Sequence, residues 1–324
     1  IVLCPTRELA DQVASEIRKL DRAVHNIKVL TLCGGAPFGP QIGSLEHGVH
    51  IVVGTPGRIE EHLRKGTLKL DHITTLVLDE ADRMLDMGFQ DTIDEIIEKI
   101  PSNRQTLLFS ATFPDGIASI AERVMQKPTM VEAPSTHEES TIKQYFYKAN
   151  SADDRMMALR LLLAKYKPDS VLVFCNTKID TQDVADELIY YGFYALAIHG
   201  DLDQRERDQA LIRFSNKSIS VLVATDVAAR GLDIDSLDMV INFNIAHDAE
   251  VHVHRIGRTG RAGRSGIACT LYGDRETHKL NALELDIEPD PLPSDSLLDK
   301  PIKKPAMTTL KIDGGKKQKL RPGD

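Results

Sequence analysis

The chain has 324 residues, 42% of them hydrophobic and 27% charged, with a formal net charge of −8. That length accommodates two ordinary domains of globular composition, and no apolar run approaches the roughly 18 residues of a membrane span. No signal peptide is visible, and a net acidic chain that binds nucleic acid must use local basic patches instead of a global field.

In chain order, short apolar strand candidates alternate with amphipathic stretches. The first strand is expected at 1–4, opening at residue 1 without an initiator Met, which predicts a piece cut from a longer protein. Leu9, Val13, Ile17 and Leu20 then recur at three- and four-residue steps, with Thr6 as N-cap, and predict a helix. Further strands are expected at 28–32, 50–53, 74–78, 105–109 and 129–132. A second set is expected at 142–148, 170–174, 194–198, 219–223, 239–243 and 267–272, with Leu159, Leu162 and Leu163 lining a helix face between the first two. This alternation implies an α/β fold of βαβ units, parallel sheets and right-handed crossovers. The four cysteines, Cys4, Cys33, Cys175 and Cys269, are far apart and form no CxxC pair; they read as reduced core residues of a cytosolic protein.

Two breaks divide the pattern. The polar stretch EAPSTHEEST predicts a linker at 134–141 between domains at 1–133 and 142–287. Proline and aspartate cluster again at 288–305, which reads as a second linker. Residues 306–324 read as the start of another domain, with five Lys or Arg against two Asp from Met307 onward.

The chemistry-bearing residues sit where strands end. Asp79-Glu80-Ala81-Asp82 follow the run Ile73–Leu78, and acids delivered by a buried strand to its C-terminal end suit the magnesium of a nucleoside triphosphate. Taken alone, the same four letters also suit the solvated first turn of a helix. Pro5-Thr6-Arg7-Glu8-Leu9-Ala10, Gly34-Gly35, Thr55-Pro56-Gly57-Arg58 and Ser110-Ala111-Thr112 each follow a strand as well. In a doubly wound sheet those ends share one edge, and their hydroxyl, guanidinium and backbone N–H groups suit phosphates. In the second half, Ala224-Thr225-Asp226-Val227-Ala228-Ala229-Arg230-Gly231-Leu232-Asp233-Ile234 follows a strand. Then comes His254-Arg255-Ile256-Gly257-Arg258-Thr259-Gly260-Arg261, with three arginines at three-residue steps and glycines between them. Cations so closely spaced need an anionic partner, and arginines supplied to a transferring phosphoryl group accelerate hydrolysis by roughly 10³–10⁵. His247, Asp248, His252 and His254 are metal-ligand types standing close together. His252 and His254 share a face only on a strand, whereas their surroundings read as helix, and no Cys or Glu cluster stands at ligand spacing.

In that order, PTRELA, GG, TPGR, DEAD, SAT, ARGLD and HRIGRTGR resemble the motifs of the DEAD-box RNA helicases, over residues 1 to about 285. The resemblance implies two RecA-like domains with ATP between them and RNA across both. It implies that Asp79 holds magnesium through water and that Glu80 positions or activates the attacking water. Asp82 would couple this site to Ser110, Thr112 and His254. Asp233 would contact the ribose, and Arg258 and Arg261 would act as arginine fingers. Thr6, Arg7, Gly35, Thr55 and Arg58 would hold RNA from the first domain. Gln204, Arg207, Thr225 and Arg230 would do so from the second domain or stand at the domain interface, and Asn176, Thr177 and Lys178 sit where the family has a further RNA contact.

One departure is clear: the sequence contains no GxxxxGK[ST] phosphate loop, and Gly314-Gly315-Lys316-Lys317 has neither its spacing nor its context. The family carries that loop upstream of PTRELA, so the parent protein is expected to be a monomeric, cytoplasmic ATPase and this piece inactive. The tail from Met307 resembles the start of the C-terminal RNA-binding domain of the bacterial DbpA subgroup, which implies large-subunit ribosomal RNA as partner and a role in ribosome assembly. A non-catalytic RNA clamp and a DNA helicase remain the alternatives.

Overall fold

In the computed structural model the described residues are 1–113, 115–132, 142–229, 237–260, 265–281, 283 and 288–310. The chain divides into two compact units with the boundary at residues 134–135.

In the first unit five short apolar runs pair side by side, all parallel: β1 (Val2–Leu3), β2 (Val29–Leu32), β3 (Ile51–Gly54), β4 (Thr75–Leu78) and β5 (Gln105–Leu108). Their order is β2-β3-β1-β4-β5. A parallel sheet is covered on both faces, so its inner strands read as continuous apolar runs. Leu3, Val53, Leu76 and Leu78 are fully buried accordingly. Helices Arg7–Leu20, Pro56–Arg64, Gln90–Glu98 and Asp115–Val124 belong to the crossovers between the strands and the stretch after β5. The first begins at Thr6, whose hydroxyl accepts from Leu9 N at 3.3 Å. Its apolar stripe stops short of the expected one: Leu9 is buried and Val13 and Ile17 pack against the core, but Leu20 is 80% exposed. The strand expected at 129–132 does not form. Met130 and Val131 are exposed there, and no strand pairs with this stretch among the described residues.

The second unit repeats the scheme with β6 (Ile142–Lys148), β7 (Val171–Cys175), β8 (Ala195–Ile198), β9 (Val221–Thr225), β10 (Met239–Asn242) and β11 (Gly266–Tyr272), again all parallel, in the order β6-β11-β10-β7-β9-β8. Reciprocal capping boxes start two of its helices, Ser151 with Asp154 before Ala152–Tyr166 and Asp203 with Glu206 before Gln204–Ser215. Leu159, Leu162 and Leu163 face the core as expected. All four cysteines are free and buried. No helix among the described residues is long and apolar enough to cross a membrane.

The stretch 288–305, read from its prolines and aspartates as a linker, is laid along the second unit. Asp290 exchanges two bonds with β6: Phe146 N donates to its carboxylate at 2.8 Å, and Asp290 N donates to Phe146 O at 2.7 Å. Further on, Leu297, Pro301 and Ile302 line a small cavity with Leu163 and Phe193, and Lys303 pairs with Asp169 at 2.7 Å. Prolines remove backbone donors, so such a segment can lie against a folded surface without leaving N–H groups unpaired.

All strands of each sheet point the same way, so the residues following β1 to β5 lie in one row along one edge. That row holds Thr6, Gly34-Gly35, Thr55, Asp79 and Ser110.

If Asp290 anchors this segment, Asp290→Ala should destabilise the second unit by about 1–2 kcal/mol, the cost of leaving the Phe146 N–H unpaired. A urea titration of the second unit checks this, and an unchanged midpoint would mean that the segment is not held there.

Candidate functional site

On the first unit the acids after β4 are fixed by the strand beside it. Asp79 N donates to Leu3 O at 3.0 Å and Ala81 N to Phe109 O at 3.0 Å, which holds the turn against β1 and β5. Between them Glu80 is forced into the left-handed region, φ 48° and ψ 54°. A residue with a Cβ gives up about 1–2 kcal/mol there, and strain of this kind concentrates at functional positions. Helix Ala81–Asp86 follows.

Asp82 is almost fully buried. Its Oδ2 accepts from Thr112 N at 3.1 Å and from Thr112 Oγ1 at 2.9 Å, and its Oδ1 accepts from Arg83 N at 3.0 Å. Its own N donates to Ser110 Oγ at 3.3 Å. The acidic turn and the Ser-Ala-Thr turn are thus one hydrogen-bonded body. Asp79 is different. Burial pushes its carboxyl above the ordinary carboxylate range, and the opposing influence is a single N–H, from Glu80 at 3.1 Å. A carboxylate so placed gains from a cation, and a magnesium ion held through water fits this residue.

The glycine turn and the TPGR turn are joined as well. Gly35 has φ +73°, a conformation that favours glycine, and the end of the Arg7 side chain lies close over it. Arg7 Nε is buried with no hydrogen-bond partner among the described residues. Arg58 Nη1 donates to Ala36 O at 3.1 Å and to Gln41 Oε1 at 2.8 Å, and its Nε pairs with Glu61 at 3.1 Å. Thr55 stands at the N-cap of helix Pro56–Arg64. Thr6, Arg7, Gly35, Thr55 and Arg58 therefore lie along one sheet edge, with Arg7 close over Gly35.

On the second unit the cationic run resolves into unlike members. Arg255, on helix Ala249–Ile256, is fully buried and makes a two-pronged pair with Asp226, Nε to Oδ1 and Nη2 to Oδ2, both at 2.7 Å. It donates further to Asn244 O at 2.7 Å and Asn176 Oδ1 at 2.8 Å. The anionic partner expected for the three arginines is, for this one, the protein itself. Arg258, just beyond the helix, is half-buried, and its carbonyl accepts from Leu237 N at 3.1 Å. His254 is half-buried on the same helix. His252 Nε2 bonds Gln144 Oε1 at 3.0 Å, and burial together with Arg255 depresses its pKa to about 4. His247 pairs with Asp248 at 2.9 Å. The ring of His252 is committed to the protein interior, and no cluster of metal-binding side chains occurs among the described residues.

Thr225 Oγ1, at the end of β9, accepts from Ala228 N at 3.3 Å. Thr177 caps helix Lys178–Tyr190, and Lys178 pairs with Asp201 at 2.8 Å. Gln204 opens its helix and donates to Asp208 at 2.8 Å, with Arg207 one turn on. Arg230, Asp233 and Arg261 lie outside the described residues.

Sequence reasoning passed over Asp226, the structural role of Arg255, and the pair Gln41 and His62. Signals existed for the first two: Asp226 directly follows a buried strand, and Arg255 stands four residues after the buried Val251, on the inward face of its helix.

An acid turn tied to its neighbouring strands, on a parallel sheet with phosphate-suited turns along the same edge, is the architecture of a RecA-like domain. Comparison specifies the class. The family model for DEAD/DEAH box helicases matches residues 1–120, and that for the helicase conserved C-terminal domain matches 154–263. The Escherichia coli ATP-dependent RNA helicase DbpA is 54% identical over 328 residues, covering 100% of this chain and 71% of DbpA. The DEAD-box ATP-dependent RNA helicase CshA of Geobacillus kaustophilus is 45% identical, covering 88% of this chain and 61% of CshA, so the chain spans less than two thirds of that relative. Among solved structures, Saccharomyces cerevisiae Dbp5 bound to RNA and ADP BeF3 superposes with a TM-score of 0.79 at 29% identity, covering 91% of this chain and 77% of that one. The chain belongs to the DEAD-box RNA helicase family.

Replacing Arg255 by Met leaves the Asp226 carboxylate beside an apolar group. Breaking a buried pair from one side costs about 3–5 kcal/mol, so R255M should lower the urea midpoint of the second unit by that equivalent, while D226N/R255M recovers part of the loss.

Proposed function

We propose that the chain is the helicase core of an RNA-stimulated, ATP-hydrolysing enzyme that separates short RNA duplexes. The observation that carries this reading is the body formed by Asp82 with Ser110 and Thr112 beside the strained Glu80. It ties the acids to a second turn, so that a change at one is felt at the other. When bound, magnesium supplies charge neutralisation at the phosphates, and Asp79 would hold it through water. Glu80 orients the attacking water and accepts its proton. Arg258 and Arg261 supply positive charge to the transferring phosphoryl group, and Asp233 contacts the ribose. Asp82 and His254 couple nucleotide state to RNA state.

Thr6, Arg7, Gly35, Thr55 and Arg58 on the first unit, and Gln204, Arg207, Thr225 and Arg230 on the second, bind phosphates and sugars. Such contacts favour RNA over DNA and ignore sequence. Each base-pair step is worth on the order of 1–2 kcal/mol, so binding a strand in a bent form disrupts a few steps without translocation. The likeness to DbpA and the resemblance of the basic tail from Met307 to the start of that subgroup's RNA-binding domain support a ribosomal RNA substrate and a role in large-subunit assembly. With no GxxxxGK[ST] run in its 324 residues, the polypeptide taken alone lacks the backbone nest that cradles phosphates and should hydrolyse ATP only at background rate.

In the full-length gene product RNA should raise ATP turnover, while DNA of equal sequence should not. Glu80→Gln should retain ATP and RNA binding and abolish turnover, and Arg258→Ala should lower the rate by about 10³ or more. A Glu80→Gln enzyme with normal turnover, or a loss below threefold for Arg258→Ala, would remove those residues from these roles; equal stimulation by DNA would favour a DNA helicase, and no hydrolysis at all an RNA clamp.

A further inference from the structure

Two buried polar residues of the first unit, Gln41 and His62, belong to none of the motifs, yet every polar atom of their side chains is aimed. Gln41 Nε2 donates to Cys33 O at 3.1 Å, the carbonyl immediately before Gly34-Gly35. Its Oε1 accepts from Arg58 Nη1 at 2.8 Å and faces His62 Nε2 at 2.9 Å. His62 is fully buried, its Nδ1 lies 2.8 Å from Thr67 Oγ1, and the Phe38 ring stacks on it at 4.1 Å between centroids.

These contacts fix the protons. A carbonyl only accepts and a guanidinium only donates, so the Gln41 amide has a single orientation, nitrogen to Cys33 and oxygen to Arg58. The ring nitrogen of His62 that meets that oxygen must then carry the hydrogen. Burial, and after it the Arg58 charge, lower the pKa of His62, while Thr67 Oγ1 lies 2.8 Å from its Nδ1 and donates to the His62 carbonyl at 3.1 Å. Thr67, His62 and Gln41 are thus one connected set, with Arg58 and the glycine turn both held by Gln41. The Arg58 guanidinium is held from two sides, by the Glu61 carboxylate at Nε and by the uncharged Gln41 amide at Nη1, and an arginine ordered in advance binds phosphate at lower entropic cost.

We propose that Gln41 and His62 are positioning residues for RNA: Gln41 aims Arg58 and pins the Cys33–Ala36 turn, and His62 sets the Gln41 amide. This rests on the reading that Arg58 and the glycine turn contact RNA.

The test uses the full-length gene product and measures the RNA concentration giving half-maximal ATPase stimulation, the turnover number at saturating RNA, ATP affinity and thermal melting. Gln41→Ala and His62→Asn should each raise the half-maximal RNA concentration about tenfold, the scale of one hydrogen bond to a charged group. Turnover at saturating RNA should stay within about twofold and ATP affinity should not move. His62→Gln, whose amide N–H reaches the place of Nε2, should stay within about threefold of the parent, whereas His62→Asn reaches only the Thr67 side. Should a buried variant fail to fold, Thr67→Val, one hydrogen bond further out, should give the same split at about threefold. In an Arg58→Ala background His62→Asn should add less than about twofold, since coupled residues are not additive. Equal effects of His62→Asn and His62→Gln, a fall in turnover at unchanged RNA response, or a full extra tenfold loss on Arg58→Ala would each overturn the proposal. If Arg58→Ala itself leaves the RNA response unchanged, the RNA reading of this edge fails instead.

Discussion

The constraint on which the first unit's candidate site rests is the buried carboxylate of Asp82. A carboxylate taken out of water is tolerated only when its lone pairs are filled. Asp82 fills them with Thr112 N, Thr112 Oγ1 and Arg83 N, groups that come from its own turn and from the turn after the neighbouring strand. Satisfying one buried charge therefore welds two strand ends together. Glu80, two residues upstream, inherits its geometry from that weld. Ala81 N is bound to Phe109 O and Asp82 N to Ser110 Oγ, so the backbone between Asp79 and Ala81 has no unstrained route, and the left-handed conformation of Glu80 follows.

The second unit uses the opposite charge in the same way. Arg255 is buried where β7, β9 and β10 end, and it is satisfied by Asp226 after β9, by Asn176 after β7 and by the Asn244 carbonyl after β10. One guanidinium thus ties three strand ends with a planar fork that no lysine reproduces. The arginines of this run look alike in sequence but divide by environment. Arg255 spends its donors inside the unit, while Arg258 sits past the helix end, half-buried.

Strand positions and the row of motif turns were legible because parallel strands buried on both faces leave continuous apolar runs, and because the residues after them are forced to one edge. Eleven strands lie within about two residues of the stretches their apolar runs mark. The misread places are those where local pattern lacks a tertiary partner or has an unforeseen one. Thr129–Glu132 has strand composition, but a strand exists only through its neighbours. Leu20 continues a helical period that the helix abandons at Asp21. Residues 288–305 have a linker's composition, yet Asp290 finds a backbone N–H more than a hundred residues away in sequence. Gln41 and His62 carry no signal at all in one sequence, since a buried amide and imidazole are spelled like any surface pair.

The buried polar groups differ in what they do for their surroundings. Asp82 and Arg255 are charges saturated by protein, so they fix backbone and present nothing outward. Gln41 is neutral and shared among a carbonyl, a guanidinium and an imidazole, so it orders Arg58 without adding to the negative charge that Glu61 already sets beside it. A carboxylate at position 41 would lose the bond to Cys33 O and set a second negative charge against a guanidinium that Glu61 already pairs. Asp79 completes the series: its carboxyl is half-buried, burial raises its pKa, and among the described residues the hydrogen bond it accepts comes from Glu80 N. A carboxylate in such a setting differs from Asp82 in that a nearby cation, not a further N–H, would stabilise its charged form most.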